Sequence, residues 1–143
     1  MDSFEKILRK NKLRVTNPRK QIFTTLSNAS DPLSHQDIYA RCTDIDRASI
    51  YRSIDTLVEI GVVKVVYIGW KKLYELTDFF SPHHHHLRCT NCGKISHVSS
   101  DLFEKVIEDI ANEQGFLINS HHFEIEGLCA SCKSRSAPTY KAP

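Results

Sequence analysis

No run of this 143-residue sequence is apolar for long enough to cross a bilayer. The charged opening, Met1 to Lys10, also lacks the apolar stretch of a secretory signal. These absences argue against membrane and exported classes and make the cytoplasm the expected compartment. Net charge is scarce as well: +2 overall does not announce a nucleic-acid partner. An even set of cysteines is missing, since the count is five. In a reducing compartment that count, with its spacing, argues for metal rather than disulfides. Length is limiting too, because it suits one medium domain or two small ones, and two small ones need metal or a partner chain to supplement their cores. Hydrophobic content of 41% and charged content of 25% are ordinary for a globular chain and argue against general disorder.

The distribution of charge is more informative than its sum. Within the first twenty residues Lys6, Arg9, Lys10, Lys12, Arg14, Arg19 and Lys20 face only Asp2 and Glu5. Such a local excess attracts phosphate, although a solvated helix face has the same composition. Phe4, Ile7 and Leu8 give a short amphipathic helix. Thr16 or Asn17 can cap a second, with Pro18 in its first turn and Ile22, Phe23 and Leu26 on one face. A capping box, Ser34-x-x-Asp37, opens a third helix. Asp46 can cap a fourth, which runs to a stop at Gly61.

On that fourth helix Ile50, Ile54 and Leu57 form a core stripe and leave Ala48, Tyr51, Arg52, Asp55 and Glu59 outside. Val62 to Tyr67 and Lys72 to Leu76 then read as two strands around Ile68-Gly69-Trp70-Lys71. Helices, a closing helix and a hairpin make a winged helix-turn-helix. Its closing helix would enter a major groove by its amino-terminal end, where Ser49, Tyr51 and Arg52 meet base edges and phosphates of double-stranded DNA. A plain three-helix bundle with idle surface residues is the alternative.

The second half has a different pattern. His83 to Arg88, Ile95 to Val98 and Leu117 to Glu126 read as strands. Asp101 to Gln114 reads as a helix using Leu102, Val106, Ile107 and Ile110, stopped by Gly115. The expected class is therefore α+β: a winged-helix DNA-binding domain over 1–78, a hinge at 79–82, a small metal-binding α+β domain over 83–133 and a disordered tail over 134–143. Cys42 reads as a buried small hydrophobe.

Seven of the eight histidines follow residue 82, and four of the five cysteines form the pairs Cys89/Cys92 and Cys129/Cys132. Four thiolates suit tetrahedral zinc and leave no coordination position for a substrate, so this site is expected to be structural. On a strand, His84 and His86 point to one face and His83 and His85 to the other, so two further metal sites can share four consecutive residues. Imidazoles joined by carboxylates suit divalent zinc, iron, manganese, nickel or cobalt alike.

From Leu13-Arg14-Val15-Thr16-x-Pro18-Arg19, through Ser49-Ile50-Tyr51-Arg52-Ser53-Ile54 and the histidine run into Cys89-x-x-Cys92-Gly93-Lys94, to Gly127-Leu128-Cys129-x-x-Cys132, the chain resembles the ferric uptake regulators. The resemblance implies a homodimeric, metal-dependent regulator, usually a repressor, that binds palindromic operators and controls metal uptake or homeostasis. It implies a sensory site of Glu75, His84, His86 and His97, and a second site of His83, His85, Glu104 and His121. It also places Arg14 and Arg19 with Ser49, Tyr51 and Arg52 in the DNA-binding half. The family often adds a histidine just before the third helix, where this chain has Pro32; His35 lies nearby and is the possible substitute. A carboxylate is common in the family where His97 stands.

The resemblance makes iron(II) the favoured sensory ion, ahead of zinc and then manganese; the zinc branch commonly uses a sensory cysteine, and every paired cysteine here is committed to the tetrad, which favours iron or manganese. A peroxide-sensing member is a further alternative, although that branch uses sensory aspartates. Outside the family, His122-Phe123-Glu124 before Cys129-x-x-Cys132 superficially matches zinc-dependent nucleobase deaminases. That pattern lacks the expected Pro and separate helices and leaves Cys89 and Cys92 unexplained. A thiol redox protein would need a strand-to-helix setting for its cysteine pair, which is not evident. No enzymatic activity is expected.

Overall fold

The computed structural model describes residues 1–135, which form two compact units divided after Pro82. The expected tail therefore lies outside the described residues except for Ser134 and Arg135.

The first unit begins with α1 (Asp2–Lys10), whose acidic first turn and basic last turn complement the helix dipole. It buries Phe4 and Leu8. Thr16 precedes α2 (Asn17–Ser27) in extended conformation, and Pro18 takes a first-turn position where no amide donor is required. Phe23 of α2 stacks on Phe4, ring centroids 4.3 Å apart. The capping box forms as expected before α3 (His35–Arg41), with Ser34 and Asp37 bonding reciprocally. Asp46 caps α4 (Arg47–Glu59) by accepting from the Ser49 amide at 2.9 Å. Gly61, at φ +72°, ends that helix in the left-handed region.

Two antiparallel strands follow, β1 (Val63–Ile68) and β2 (Lys71–Leu76). Ile68 pairs with Lys71, so the turn is the two residues Gly69 and Trp70 rather than four. Gly69 at φ +60° supplies the backbone that a tight right-twisted hairpin needs at its first central position. Leu33 bridges Tyr74 through both backbone hydrogen bonds and ties the α2–α3 connection to the hairpin. Ile22, Ile38, Ile50, Ile54, Leu57 and Val62 are all fully buried in one core with Phe4 and Leu8. Phe80 packs edge-on against Phe23, which anchors the segment after β2 to this core.

The second unit is a three-stranded sheet in the order β4-β3-β5, with β3 (His85–Cys89) antiparallel to β4 (Ile95–Val98) and parallel to β5 (Glu124–Gly127). Between β4 and β5 lies α5 (Asp101–Glu113), capped by Ser100 and followed by Gly115 at φ +71°. The short α6 (Ala130–Lys133) is the last described element. Two strand limits are corrected here. β3 opens at His85 rather than His83, because pairing with β4 begins at His85 opposite Val98. β5 opens at Glu124 rather than Leu117, because its ladder begins at His86 opposite Glu124, and His121 consequently precedes the strand. α5 carries no buried residue: Phe103 and Ile107 are half-buried, whereas Leu102 is 74% and Ile110 57% exposed.

Candidate metal centres and nucleic-acid interface

The exposed amino-terminal part of α4 carries Tyr51 and Arg52, as its period requires, with Ser49 half-buried beside them. Arg52 Nη2 donates to Ser49 Oγ at 3.2 Å, which groups two hydrogen-bonding side chains at the helix start. Arg14 is exposed in the α1–α2 connection, and Arg19 Nη1 donates to its carbonyl at 2.6 Å. Lys64 on β1 lies between Glu75 and Asp78. Burial lowers the pKa of this ammonium, but the Asp78 hydrogen bond and the Glu75 charge outweigh that and hold it above its ordinary value.

The surroundings of His35, the possible substitute ligand, are aromatic. Its ring stacks on Tyr51 with centroids 4.2 Å apart and planes 10° from parallel, and it meets Tyr74 edge-on at 4.4 Å. Burial, followed by the Lys72 charge, lowers its pKa against a smaller opposing effect of Asp55. A neutral imidazole thus supports the exposed Tyr51 ring, a contact with no signature in helical periodicity. Ser53, also not singled out in the sequence, is buried on the inner face of α4.

In the second unit the four paired cysteines converge, with ligand atoms all within 4.8 Å of one another. Cys92 Sγ and Cys129 Sγ are 3.7 Å apart. Sulfurs arranged tetrahedrally at zinc–sulfur bonds of about 2.3 Å would be separated by roughly 3.8 Å. The local backbone prepares this arrangement: Gly93, at φ +73°, lets the chain turn so that its amide reaches the Cys89 carbonyl at 2.9 Å. The Cys129 amide donates to Cys89 Sγ at 3.3 Å, and Asn91 Nδ2 donates to Cys132 Sγ at 3.3 Å. Donation from the Cys129 amide, then from that of Cys92, depresses the Cys89 pKa to about 6. The Lys94 amide pulls Cys92 in the same direction, but the neighbouring thiols outweigh it and push Cys92 up to about 11. A cation would relieve this crowding of thiols, and the donor set fits zinc. Asn91 was not anticipated, because a side-chain donor to sulfur has no fixed sequence spacing.

The histidine run divides as alternation requires, although His83 and His84 precede the strand proper. His83, His85, Glu104 and His121 form one cluster, with ligand atoms all within 4.8 Å. His85 Nε2 is 2.7 Å from Glu104 Oε1, and His121 Nε2 is 3.1 Å from Glu104 Oε2. Hydrogen bonding by His85 and the charges of His121 and His83 lower the Glu104 pKa. His84, His86 and His97 form a separate cluster with the same spread. Its geometry comes from the sheet: His86 faces His97 across β3 and β4, and His84 stacks on His97 at 4.7 Å. Glu75 lies in the first unit on β2, largely buried and paired with Lys64. His122 is exposed and belongs to none of these clusters. Cys42 is half-buried against the first core, and burial raises its pKa.

A helix-and-hairpin reading unit joined to a unit of clustered thiolates and imidazoles defines a metal-binding, DNA-binding protein. The model of the ferric uptake regulator family matches residues 10–126. The chain is 30% identical to the ferric uptake regulation protein of Campylobacter jejuni over 96% of its own length and 90% of that protein's. It is 33% identical to the corresponding protein of Klebsiella pneumoniae, covering 92% of this chain and 89% of that one. Among solved structures, the manganese-containing ferric uptake regulator of Pseudomonas aeruginosa superimposes with a TM-score of 0.75 at 26% identity, over 89% of this chain and 98% of that one. Two neighbours at 24% identity share the fold alone. The peroxide stress regulator of Campylobacter jejuni has a TM-score of 0.70 over 89% and 97% of the two chains. A zinc uptake regulator complexed with zinc and DNA has a TM-score of 0.59 over 92% and 91%. The chain belongs to the ferric uptake regulator family, whose members are metal-responsive, DNA-binding, dimeric transcription regulators rather than enzymes.

Proposed function

We propose that this chain is a cytoplasmic, homodimeric repressor of metal-uptake or metal-homeostasis genes that binds a palindromic operator when iron(II) occupies its sensory site. The observation that carries the proposal is the separation of ligand chemistry within the second unit. Four thiolates form one cluster, and His84, His86 and His97 form another without sulfur. Thiolates favour tightly held zinc, whereas an imidazole and carboxylate set suits an exchangeable divalent ion. With no thiolate in the second set, and with curated relatives that are ferric uptake regulation proteins, iron(II) is preferred over zinc or manganese. Glu75 completes the sensory set in this proposal, and His83, His85, Glu104 and His121 hold a second ion.

The domains follow the same division of labour: 1–78 reads DNA, 79–82 is the hinge, and 83–133 binds metal and dimerises. Arg14 and Arg19 meet phosphates, while Ser49, Tyr51 and Arg52 reach base edges. Val98, Leu102, Val106, Phe123 and Ile125 line a cavity of about 370 Å³ beside α5. With the exposed Leu102 and Ile110, they offer the apolar surface that a second copy would cover. The loaded sensory site favours the arrangement of the two units that spaces the two reading helices for consecutive half-sites.

The test uses duplexes selected from a random library by the metal-loaded protein, titrated with iron(II), zinc or manganese under anaerobic, metal-buffered conditions. Iron(II) should support binding at a physiological free concentration. Glu75→Ala combined with His86→Ala should retain the four-cysteine zinc and the dimer but lose about a hundredfold in metal-dependent affinity, nearly 3 kcal/mol. Switching by the double variant at an unchanged free-metal concentration would overturn the sensory assignment. Unchanged operator preference in both Tyr51→Ala and Arg52→Ala would overturn the docking of α4.

A further inference from the structure

The imidazole beneath Tyr51 is itself fixed by its neighbours. His35 is the first residue of α3, and the Ser34–Asp37 capping box sets the backbone that carries it. Tyr74 of β2, only 1% exposed, meets the imidazole edge-on at 4.4 Å. The Tyr74 backbone is tied to Leu33 by a hydrogen bond in each direction, so the start of α3 and the hairpin hold the platform between them. On that platform lies Tyr51 of α4, with ring centroids 4.2 Å apart and planes 10° from parallel. Tyr51 is still 37% exposed. One face of its ring is packed, and the rest stands open to solvent.

Hydrogen bonding does not account for a histidine here. Its Nε2 is buried and has no hydrogen-bond partner among the described residues. An orphan polar atom of this kind costs stability, a cost that an apolar side chain of similar size does not carry. The position uses the flat surface of the ring.

We propose that His35 is a positioning residue for base reading, a platform that holds the Tyr51 ring in its reading orientation and so sharpens discrimination at the base that Tyr51 meets. The role rests on Tyr51 reaching a base edge, as proposed above. An aromatic side chain on an exposed helix turn loses rotamer freedom when it docks, and a ring already stacked has lost it beforehand. A fixed ring also discriminates better than a mobile one. The apolar contact that distinguishes thymine by its 5-methyl group depends on where the ring lies, and a ring free to swing makes an alternative contact with the wrong base.

Two properties separate this role from simple packing. A packing residue acts on stability, and its loss weakens binding to every duplex alike. A platform acts on the ratio between right and wrong bases, acts through Tyr51 alone, and is replaceable by another flat ring.

The experiment uses full-length, zinc-loaded dimer saturated with manganese(II) and the duplex selected by the wild-type protein. Affinity is compared with that for duplexes carrying one base-pair substitution at a time, including thymine-to-uracil replacements that remove only the methyl group. Tyr51→Ala identifies the positions that Tyr51 reads. At those positions His35→Leu should lower discrimination roughly fivefold, the scale of one aromatic pair contact, and leave other positions unchanged. His35→Phe should restore it, and His35→Leu should add nothing in a Tyr51→Ala background. Zinc content and thermal melting establish that each variant is folded, and His35→Gln replaces His35→Leu if the leucine variant is not. If Tyr51→Ala leaves discrimination unchanged at every position, Tyr51 does not read a base and the reading beneath this inference fails. If Tyr51→Ala lowers discrimination but the ring-less His35 variant does not, the platform role is wrong. A uniform loss across all duplexes, a loss that phenylalanine does not rescue, or one that persists without Tyr51 would likewise assign His35 to packing alone.

Discussion

The two units of this chain solve the problem of small size in different ways. The first buries Phe4, Leu8, Ile22, Ile38, Ile50, Ile54, Leu57 and Val62 in one aliphatic and aromatic core. Among the described residues of the second, the buried side chains are His85, His86, Cys89 and Cys132, and no apolar residue of α5 is buried. The first unit has the composition of a self-sufficient domain. The second replaces hydrophobic core with ligand chemistry and an apolar surface suited to a partner. On the proposed function, the unit that responds to metal is also the one whose order would depend on its four-cysteine zinc.

Removing the metal is the strongest way to test that contrast. Cys89→Ser or Cys132→Ser should abolish stoichiometric zinc and unfold the second unit, since structural zinc sites contribute on the order of 10 kcal/mol to folding. Hydrogen exchange should then show protection lost after residue 82 and retained in α4. Loss of protection in both units together would mean that they fold as one.

The complementary perturbation strikes the first core. Phe4→Ala removes a fully buried ring stacked on Phe23, and should destabilise that unit by about 3–5 kcal/mol. Zinc content should not change. Calorimetry of the zinc-loaded protein would show the first transition moving to lower temperature, and movement of zinc release with it would break the comparison.

A smaller effect is expected from the exposed face of α5. Leu102→Asp should weaken self-association by about 2 kcal/mol, roughly thirtyfold in dissociation constant, while a dilute sample keeps its secondary structure and zinc. Sedimentation across a concentration series measures this. An unchanged dimer would place the interface elsewhere.

The smallest change sharpens the comparison within the first unit. Ser34→Ala deletes the capping box of α3 and should cost about 1 kcal/mol of stability. Denaturant unfolding should show a lower midpoint with an unchanged slope. Operator preference should survive, because Ser34 holds the helix start rather than the reading face of α4.

Elements whose causes lie within a few residues were legible from the chain. Ser34 with Asp37, Asp46 with Ser49, and the stops at Gly61 and Gly115 all act through neighbouring backbone groups. The stripe of Ile50, Ile54 and Leu57 follows from helical period alone. Strand limits were less legible because a strand exists only where a ladder partner does. Leu117 to Phe123 has a strand-compatible composition, yet pairing starts only at Glu124. The hairpin turn is shorter than its composition suggests for a related reason, since its register is set by the pairing of Ile68 with Lys71.

What the sequence by itself determined was chemistry and local order: which residues could bind metal, how the histidine run alternates, which helix face is apolar, and where helices begin and end. These depend on side-chain type and on backbone periods of two and 3.6 residues. Only the tertiary structure decided which distant groups became neighbours. It brought Glu104 and His121 to the same face as His83 and His85, laid His35 against Tyr51, aimed Asn91 at Cys132, and set Lys64 between Glu75 and Asp78. Such contacts arise from sheet register and from packing between elements far apart in the chain, which a single sequence does not encode at any fixed spacing.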